Sequence, residues 1–207
     1  MLKRILAALT AGLVFSFAHT AVADASAQDA VRTSVEAILE TLKNEQLDST
    51  ARREQMRATI SERFDFRAMS QRTLATNWKK ASDQEQQQFV ELFSRLIENS
   101  YVGKIESYTN EKVEYPGTRV KGKKAVVDTL IITASADIPV NYKLYRKGDE
   151  WLVYDVIIEG VSLINNYRSS YQEIVKKNGI TGLLAQMQDK INEIDSEPEP
   201  KPEELAS

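Results

Sequence analysis

Apolar residues recur with two different periods along this chain, and the period changes about halfway along it. In the first half they return every three or four residues, which predicts amphipathic helices at 28–47 and 52–62. Asp65 is a candidate cap for a short third helix, and Ser82 with Glu85 forms a capping box for a long fourth one. The first half of the chain is therefore predicted to be helical.

The second half begins with apolar and polar residues in alternation, which is the period of β-strands. The predicted strands are 111–120, 125–134, 138–147 and 151–158. Short polar turns such as 121–124 join them, so we expect an antiparallel meander. Helical spacing returns after Gly160, and Asn178-Gly179 is typical of a helix end. A last helix is predicted to begin near Thr181.

The order of helices, meander and helices predicts an α+β fold, with helices packed on an antiparallel four-stranded sheet. Two strand segments, 130–132 and 156–158, are apolar at every position and hence on both faces of the sheet. Helices could cover both faces, which is the ordinary arrangement. Alternatively, one face could line an apolar cavity between the sheet and the helices. The pattern leaves both arrangements open.

The two ends of the chain differ from its middle in composition. Lys3 and Arg4 precede an apolar run at 5–18 and a small-x-small motif at 21–23, which predicts a cleaved secretory signal peptide at 1–23. Residues 195–207 are acidic and rich in proline, which predicts a disordered tail. A single domain at 24–194 is expected between them.

Removal of the signal peptide would limit the chemistry of the chain. His19, the only histidine, lies inside that segment, and the sequence has no cysteine. The mature chain would therefore lack His/Cys zinc sites, Ser-His-Asp triads and thiol nucleophiles. It would keep 25 Lys and Arg against 30 Asp and Glu, a net charge of −5, because the segment holds two basic and no acidic residues. This charge disfavours binding to nucleic acids.

Two carboxylates in apolar strands are the remaining candidates for catalysis. Asp128 or Asp155, paired with Tyr142, could form a small-molecule isomerase or hydrolase site in an apolar pocket. The competing interpretation is an outward-facing or ion-paired Asp, with Arg168 as a possible partner of Asp155. A third hypothesis is an interaction module that uses the lysines of 119–124 and the acidic tail.

The segment that follows the last predicted strand contains a concentration of polar side chains. Gly160 is interpreted as the corner where this strand gives way to a helix. Asp155, Asn165, Asn166 and Arg168 are candidates to hold that corner together. This interpretation assigns the polar side chains a structural role.

Two motifs carry a resemblance to a known family. "FDFRAMS" at 64–70 and "VYDVIIEGVSLINNYR" at 153–168 occur in the expected order, followed by "NGITGLLAQM" at 178–187. Together they resemble the MlaC family, also called the toluene-tolerance family, over nearly the whole mature chain. The acidic proline-rich tail departs from the pattern of that family.

The resemblance implies a soluble periplasmic phospholipid carrier that buries the acyl tails in an apolar cavity between the sheet and the helices and leaves the headgroup exposed. Such a carrier helps to maintain the lipid asymmetry of the outer membrane. Its implied partners are an outer-membrane lipoprotein–porin complex and an inner-membrane ABC transporter with a membrane-anchored lipid-binding subunit. The resemblance implies no enzymatic activity, no metal and no cofactor, with phospholipid as the cargo.

A phospholipid carrier must offset the cost of exposing acyl tails to water. Two tails of roughly 15 CH₂ each correspond to about 24 kcal/mol at ~0.8 kcal/mol per CH₂. Because burial of tails is non-directional, we expect weak headgroup selectivity. The predicted lipid-binding residues are Phe66, Met69, Trp78, Phe93, Ile97, Tyr101, Leu130, Ile132, Tyr142, Leu144, Val153, Val156, Ile158, Val161, Ile164 and Tyr167. The strand residues in this set depend on register, since a slip of one residue exchanges the faces.

Overall fold

A computed structural model describes residues 26–106, 108 and 111–196 of the chain, without the side chain of Lys104. The predicted signal peptide and residues 197–207 of the predicted tail lie outside these residues. The elements are α1 (Ala27–Lys43), α2 (Ser49–Arg63), α3 (Phe66–Leu74), a 3₁₀ helix (Ala75–Lys80), α4 (Asp83–Glu106), β1 (Lys112–Lys121), β2 (Lys124–Ile132), β3 (Asp137–Lys147), β4 (Glu150–Ile158), β5 (Val161–Ser162) and α5 (Leu163–Ser196).

Side-chain caps fix the starts of the helices. The predicted cap of α3 is confirmed, because the Ala68 backbone N–H donates to Asp65 Oδ1 at 2.8 Å. The predicted capping box of α4 is also confirmed: the Glu85 N–H donates to Ser82 Oγ at 3.2 Å, and the Ser82 N–H donates to Glu85 Oε2 at 2.9 Å. Gly179, with φ 70°, interrupts α5 where the sequence predicted a helix end.

The sheet is an antiparallel meander in the order β1-β2-β3-β4-β5. The four predicted strands are present, and the fold is the predicted α+β type. The sequence missed β5, which has only two residues and pairs with the end of β4. Glu159 and Gly160 form the connecting turn, and both have positive φ, as a two-residue type I′ turn requires.

A bulge in β4 changes which residues face the helices. Lys143 pairs with Asp155, and the next residue of β3, Leu144, pairs with Val153, so Tyr154 is an extra residue. Because of this insertion, Val153 and Val156 lie on the same face although their numbers differ in parity. We call this the inner face of the sheet.

The described residues form two hydrophobic cores. One lies among α3, α4 and α5 and contains Phe89 and Phe93, neither of which is exposed to solvent. The other lies between α1 and the inner face and contains Val127 and Leu144, which are equally buried. Phe64 and Tyr101 pack against both cores. Among the described residues, no helix combines the length and the apolar character needed to cross a bilayer.

Candidate functional site

An apolar cavity of about 310 Å³ lies between the inner face of the sheet and the helices α1, α2 and α4. Its wall is lined by Val31, Ser34, Val35, Ile38, Ile60, Arg63, Phe64, Ile97, Glu98, Tyr101, Ile105, Tyr108, Ile131, Ile138, Val140, Tyr142, Val153, Val156, Ile158, Glu159 and Leu163. The wall is mostly aliphatic and aromatic. The volume of the cavity is at the lower end of the range for small-molecule pockets. The inner face therefore lines a cavity, which was the second of the two arrangements left open.

Strand register explains which sheet residues reach the cavity. Val140 pairs with Ile158, and Tyr142 pairs with Val156, so these four side chains share the inner face. Ile131 pairs with Ile138 at the edge of the same surface. The inner face thus presents a continuous apolar surface from three adjacent strands.

Six of the predicted lipid-binding residues line this cavity. They are Ile97, Tyr101, Tyr142, Val153, Val156 and Ile158. The structure brings them together from α4, β3 and β4. Their contact with lipid stays a prediction.

Two of the other predicted residues lie on the opposite face of the sheet. Leu130 pairs with Pro139 and Ile132 pairs with Asp137, whereas the intervening Ile131 lines the cavity. The choice of face for β2 was therefore wrong by one residue. The run 130–132 is apolar at every position, so alternation could not identify its inner residue.

Six predicted residues belong to the helical core instead of the cavity wall. They are Phe66, Met69, Trp78, Phe93, Ile164 and Tyr167. Phe93 shows why: its ring stacks on that of Phe89 with centroids 5.4 Å apart and meets the edge of Tyr167 at 5.3 Å. Aromatic partners fill the space around Phe93, whereas Ile97, which belongs to the same core, also lines the cavity.

The last two predicted lipid-binding residues lie neither in the cavity wall nor in the helical core. Leu144 is on the inner face but is fully buried in the core beneath α1. Val161 is 58% exposed, because it follows the turn into the edge strand β5 and points away from any core. Neither residue lines the cavity.

Sequence reasoning missed most of the helical wall of the cavity. The missed apolar residues are Val31, Val35, Ile38, Ile60, Phe64, Ile105, Tyr108, Ile131, Ile138, Val140 and Leu163. The stripe of α1 was visible in its spacing, but spacing does not show which helix covers the sheet. The missed polar residues Ser34, Arg63, Glu98 and Glu159 had no sequence signal.

Glu98 is a carboxylate in this apolar wall. It is 9% exposed, and burial raises its pKa, an effect opposed by the Arg57 guanidinium and by Ser61. Arg57 Nε lies 3.8 Å from Glu98 Oε2, and the Ser61 hydroxyl donates to Oε1 at 3.4 Å. Glu98 thus has its cationic partner outside the cavity, on α2.

The tyrosines of the wall keep their protons at neutral pH. Burial raises the pKa of Tyr142 to about 12 and raises that of Tyr101 as well. The pKa of Tyr108 is raised by burial and by the nearby carboxylates of Glu111 and Glu159. These side chains are therefore neutral parts of the lining.

The catalytic pairing of Asp128 or Asp155 with Tyr142 is not formed. Tyr142 pairs with Val127 of β2 and with Val156 of β4, and each Asp is adjacent to one of these valines along its strand. Because successive side chains of a strand point to opposite faces, both Asp side chains lie on the face opposite to Tyr142. Asp128 accepts hydrogen bonds from Arg119 and Asn141 instead. No cluster of three or more potential metal-ligating carboxylates or histidines occurs in the part of the chain that the structure describes.

Asp155 holds the corner after β4, as predicted for this polar segment. Lys143 Nζ donates to its carboxylate at 3.0 Å, and the Ser162 hydroxyl reaches both of its oxygens, at 2.9 and 3.0 Å. The Ile164 backbone N–H donates to it at 3.3 Å. The suggested partner Arg168 instead donates to the carbonyl of Arg72 at 2.9 Å.

The asparagines of the same segment contribute less to this corner than predicted. Asn165 and Asn166 are both exposed. Only the backbone N–H of Asn165 joins the network, by donating to the Ser162 hydroxyl at 3.2 Å. Asp155 and Ser162, rather than the asparagine side chains, connect the strand to the helix.

Comparison with known proteins adds a family to this geometry. The family model described as "MlaC protein" matches residues 32–189, which include the sheet, α2–α4 and most of the cavity wall. The chain belongs to the MlaC family.

Two relatives of known name each match part of the chain. The intermembrane phospholipid transport system binding protein MlaC of Haemophilus influenzae is 29% identical over 123 residues, 56% of this chain and 58% of that protein. Toluene tolerance protein ttg2D of Pseudomonas putida is 28% identical over 103 residues, 49% of this chain and 48% of that protein. The matches thus span about half of each relative's length.

The chain also shares its fold with a solved structure. A phospholipid-binding protein from Ralstonia solanacearum, solved in complex with a phospholipid, superposes with a TM-score of 0.78 at 23% sequence identity. The superposition covers 83% of this chain and 100% of that one. At this identity the likeness establishes the shared fold.

Proposed function

We propose that this chain is a phospholipid carrier that holds acyl tails in the cavity between its sheet and its helices. The observation that carries the proposal is the apolar cavity of about 310 Å³, on a fold of the MlaC family. The names of the Haemophilus and Ralstonia proteins, which refer to phospholipid, support it. The absence of an Asp–Tyr pair at the cavity supports carriage over catalysis by those residues.

The cellular setting belongs to the same proposal. The segment 1–23 has the pattern of a secretory signal, which supports a periplasmic protein with the lipid-binding domain at 24–194. The name of the Haemophilus relative, which refers to intermembrane phospholipid transport, supports shuttling between membranes. The proposed partners are an inner-membrane ABC transporter with its membrane-anchored lipid-binding subunit and an outer-membrane lipoprotein–porin complex. We propose no cofactor and no enzymatic activity.

Uptake from vesicles tests this function directly. The purified chain beginning at residue 24 is mixed with vesicles that contain a fluorescent phospholipid, and the vesicles are then removed. The expected result is a soluble protein–lipid complex that saturates near one lipid per chain. A chain that stays lipid-free at every lipid concentration, while its circular dichroism shows the folded state, contradicts the proposal.

A further inference from the structure

Arg63 is a cation in the wall of an otherwise largely apolar cavity, and two hydrogen bonds fix its position. It is the last residue of α2. Its Nε–H donates to the Ser34 hydroxyl on α1 at 3.2 Å, and Nη1 donates to the Trp151 carbonyl on β4 at 2.9 Å. The guanidinium is therefore held between a helix and the sheet before any ligand binds.

The acceptors of Arg63 are neutral, so its charge is not compensated. The described residues place no carboxylate in ion-pair contact with it. Glu98, which shares the cavity wall, has Arg57 as its own partner at 3.8 Å. Trp151, whose carbonyl accepts from Arg63, lies near the start of β4, whereas Glu159 follows the end of that strand. At about 3.3 Å per residue, Trp151 and Glu159 are roughly 25 Å apart.

A guanidinium has five N–H donors, and these two contacts use two of them, while the Arg63 residue also lines the cavity. A positive charge in an apolar wall without a counter-ion favours a compact anion with several acceptor oxygens. We propose that Arg63 binds the phosphodiester of the carried lipid, in an inference that rests on the proposed carrier function. Ser34 positions the guanidinium, since its own hydroxyl donates to the Ala30 carbonyl at 3.2 Å.

This proposal changes the expected selectivity of the carrier. Burial of tails alone would accept any lipid with two similar chains. With Arg63 in the wall, the chain prefers a phospholipid to a neutral diacylglycerol with the same tails. Charge-assisted hydrogen bonds of this kind correspond to about a tenfold preference or more.

The competing role for Arg63 is structural, because its two contacts connect α1, α2 and β4. A cation at the end of a helix also interacts favourably with the helix dipole. The two roles differ in their readout. A structural role lowers the unfolding temperature and reduces the uptake of every lipid, whereas phosphate binding changes the ratio between lipids.

The test is a competition for the chain from residue 24 between phosphatidylglycerol and diacylglycerol with identical tails, with lipid extraction and mass spectrometry as the readout. The variants are Arg63→Gln, Arg63→Lys and the control Arg67→Gln. Arg67 is exposed, lies over the Trp78 ring at 5.3 Å and does not line the cavity. We expect Arg63→Gln to lower the phospholipid preference about tenfold, Arg63→Lys to restore part of it, and Arg67→Gln to leave it unchanged.

Each other outcome counts against one of the two proposals. If the wild-type chain takes up neither lipid, the carrier function fails. If it takes up both lipids with equal preference, or if Arg63→Gln keeps the wild-type ratio, carriage stands and phosphate binding by Arg63 is overturned. If Arg63→Gln and Arg63→Lys both fold but take up no lipid, Arg63 has a structural role in the cavity, and phosphate binding by Arg63 is overturned as well. Displacement of phosphatidylglycerol by a fatty acid with equal affinity overturns the phosphodiester as the recognised anion.

Discussion

Val156→Asp tests whether the inner face of the sheet is the surface that lipid touches. Val156 is 5% exposed and lines the cavity, so its replacement removes about 1.5–3 kcal/mol of apolar burial. The cavity of about 310 Å³ has room for several water molecules, since one water needs about 10–15 Å³ of such space, and these can hydrate the new carboxylate. We therefore expect the free energy of unfolding of the lipid-free chain to fall by only about 2–3 kcal/mol.

Lipid binding removes that water, and the carboxylate then faces acyl chains. Desolvation of an unpaired carboxylate costs several kcal/mol, and even about 3 kcal/mol lowers affinity more than a hundredfold. The variant should thus fold but carry no phospholipid. Urea denaturation measures the stability, and uptake from vesicles followed by mass spectrometry of the extracted lipid measures the carriage.

The matched control is Ile157→Asp, one residue further along β4. Ile157 pairs with Asn141 and with Ser162, and it faces away from the cavity. We expect Ile157→Asp to keep near-normal uptake. Equal uptake by the two variants, or a loss confined to Ile157→Asp, would refute the assignment of the inner face to lipid.

Three further substitutions probe the surroundings of the cavity. Phe93→Ala should lower the free energy of unfolding by about 3–5 kcal/mol, as measured by urea denaturation, without changing which lipids the folded fraction takes up, because Phe93 is a fully buried core residue. Asp155→Ala should cost about 2–3 kcal/mol because it leaves Lys143 unpaired, with uptake again unchanged; abolished uptake in the folded variant would contradict a purely structural role. Glu98→Gln should alter the pH dependence of the unfolding temperature. Burial raises the pKa of Glu98 above its ordinary 4.5, so the native state binds more protons and wild-type stability falls as pH rises from 4.5 through the raised pKa. The unfolding temperature of the variant, relative to wild type, should therefore rise over that window; a constant difference would contradict this reasoning.

The elements of this fold could be predicted because they depend on local sequence. The capping box at Ser82 and Glu85 and the helix break at Gly179 are determined by residues within one turn of the chain. The meander followed from alternation and short turns. The two-residue strand β5 gave no such signal, since it is too short to show a period.

The cavity wall could be predicted only in part, because it depends on contacts between distant segments. Tyr142 and Val156 share a face through strand pairing, but the bulge at Tyr154 moves Val153 onto it as well, and such an insertion has no periodic signature. Ile131 and Leu130 are equally apolar, and only the register with β3 separates them. These choices are fixed by tertiary packing rather than by residue type.

Which helical residues line the cavity was also hard to predict from the sequence. Phe93 and Ile97 lie on the same apolar stripe of α4, one turn apart, and both belong to the helical core, yet only Ile97 also lines the cavity. The difference arises because Tyr167 and Phe89 occupy the space beside Phe93. Arg63 was missed for a related reason, since its partner Trp151 lies far from it along the chain.

The most direct test of the account is mass spectrometry of the lipid that copurifies with the chain. The protein is expressed in a Gram-negative host with the predicted signal peptide 1–23 in place. It is purified without detergent and extracted with organic solvent, with Val156→Asp processed in parallel. The account predicts about one two-tailed phospholipid per wild-type chain and almost none on the variant. A wild-type chain that yields no phospholipid, or no more than Val156→Asp, would contradict it.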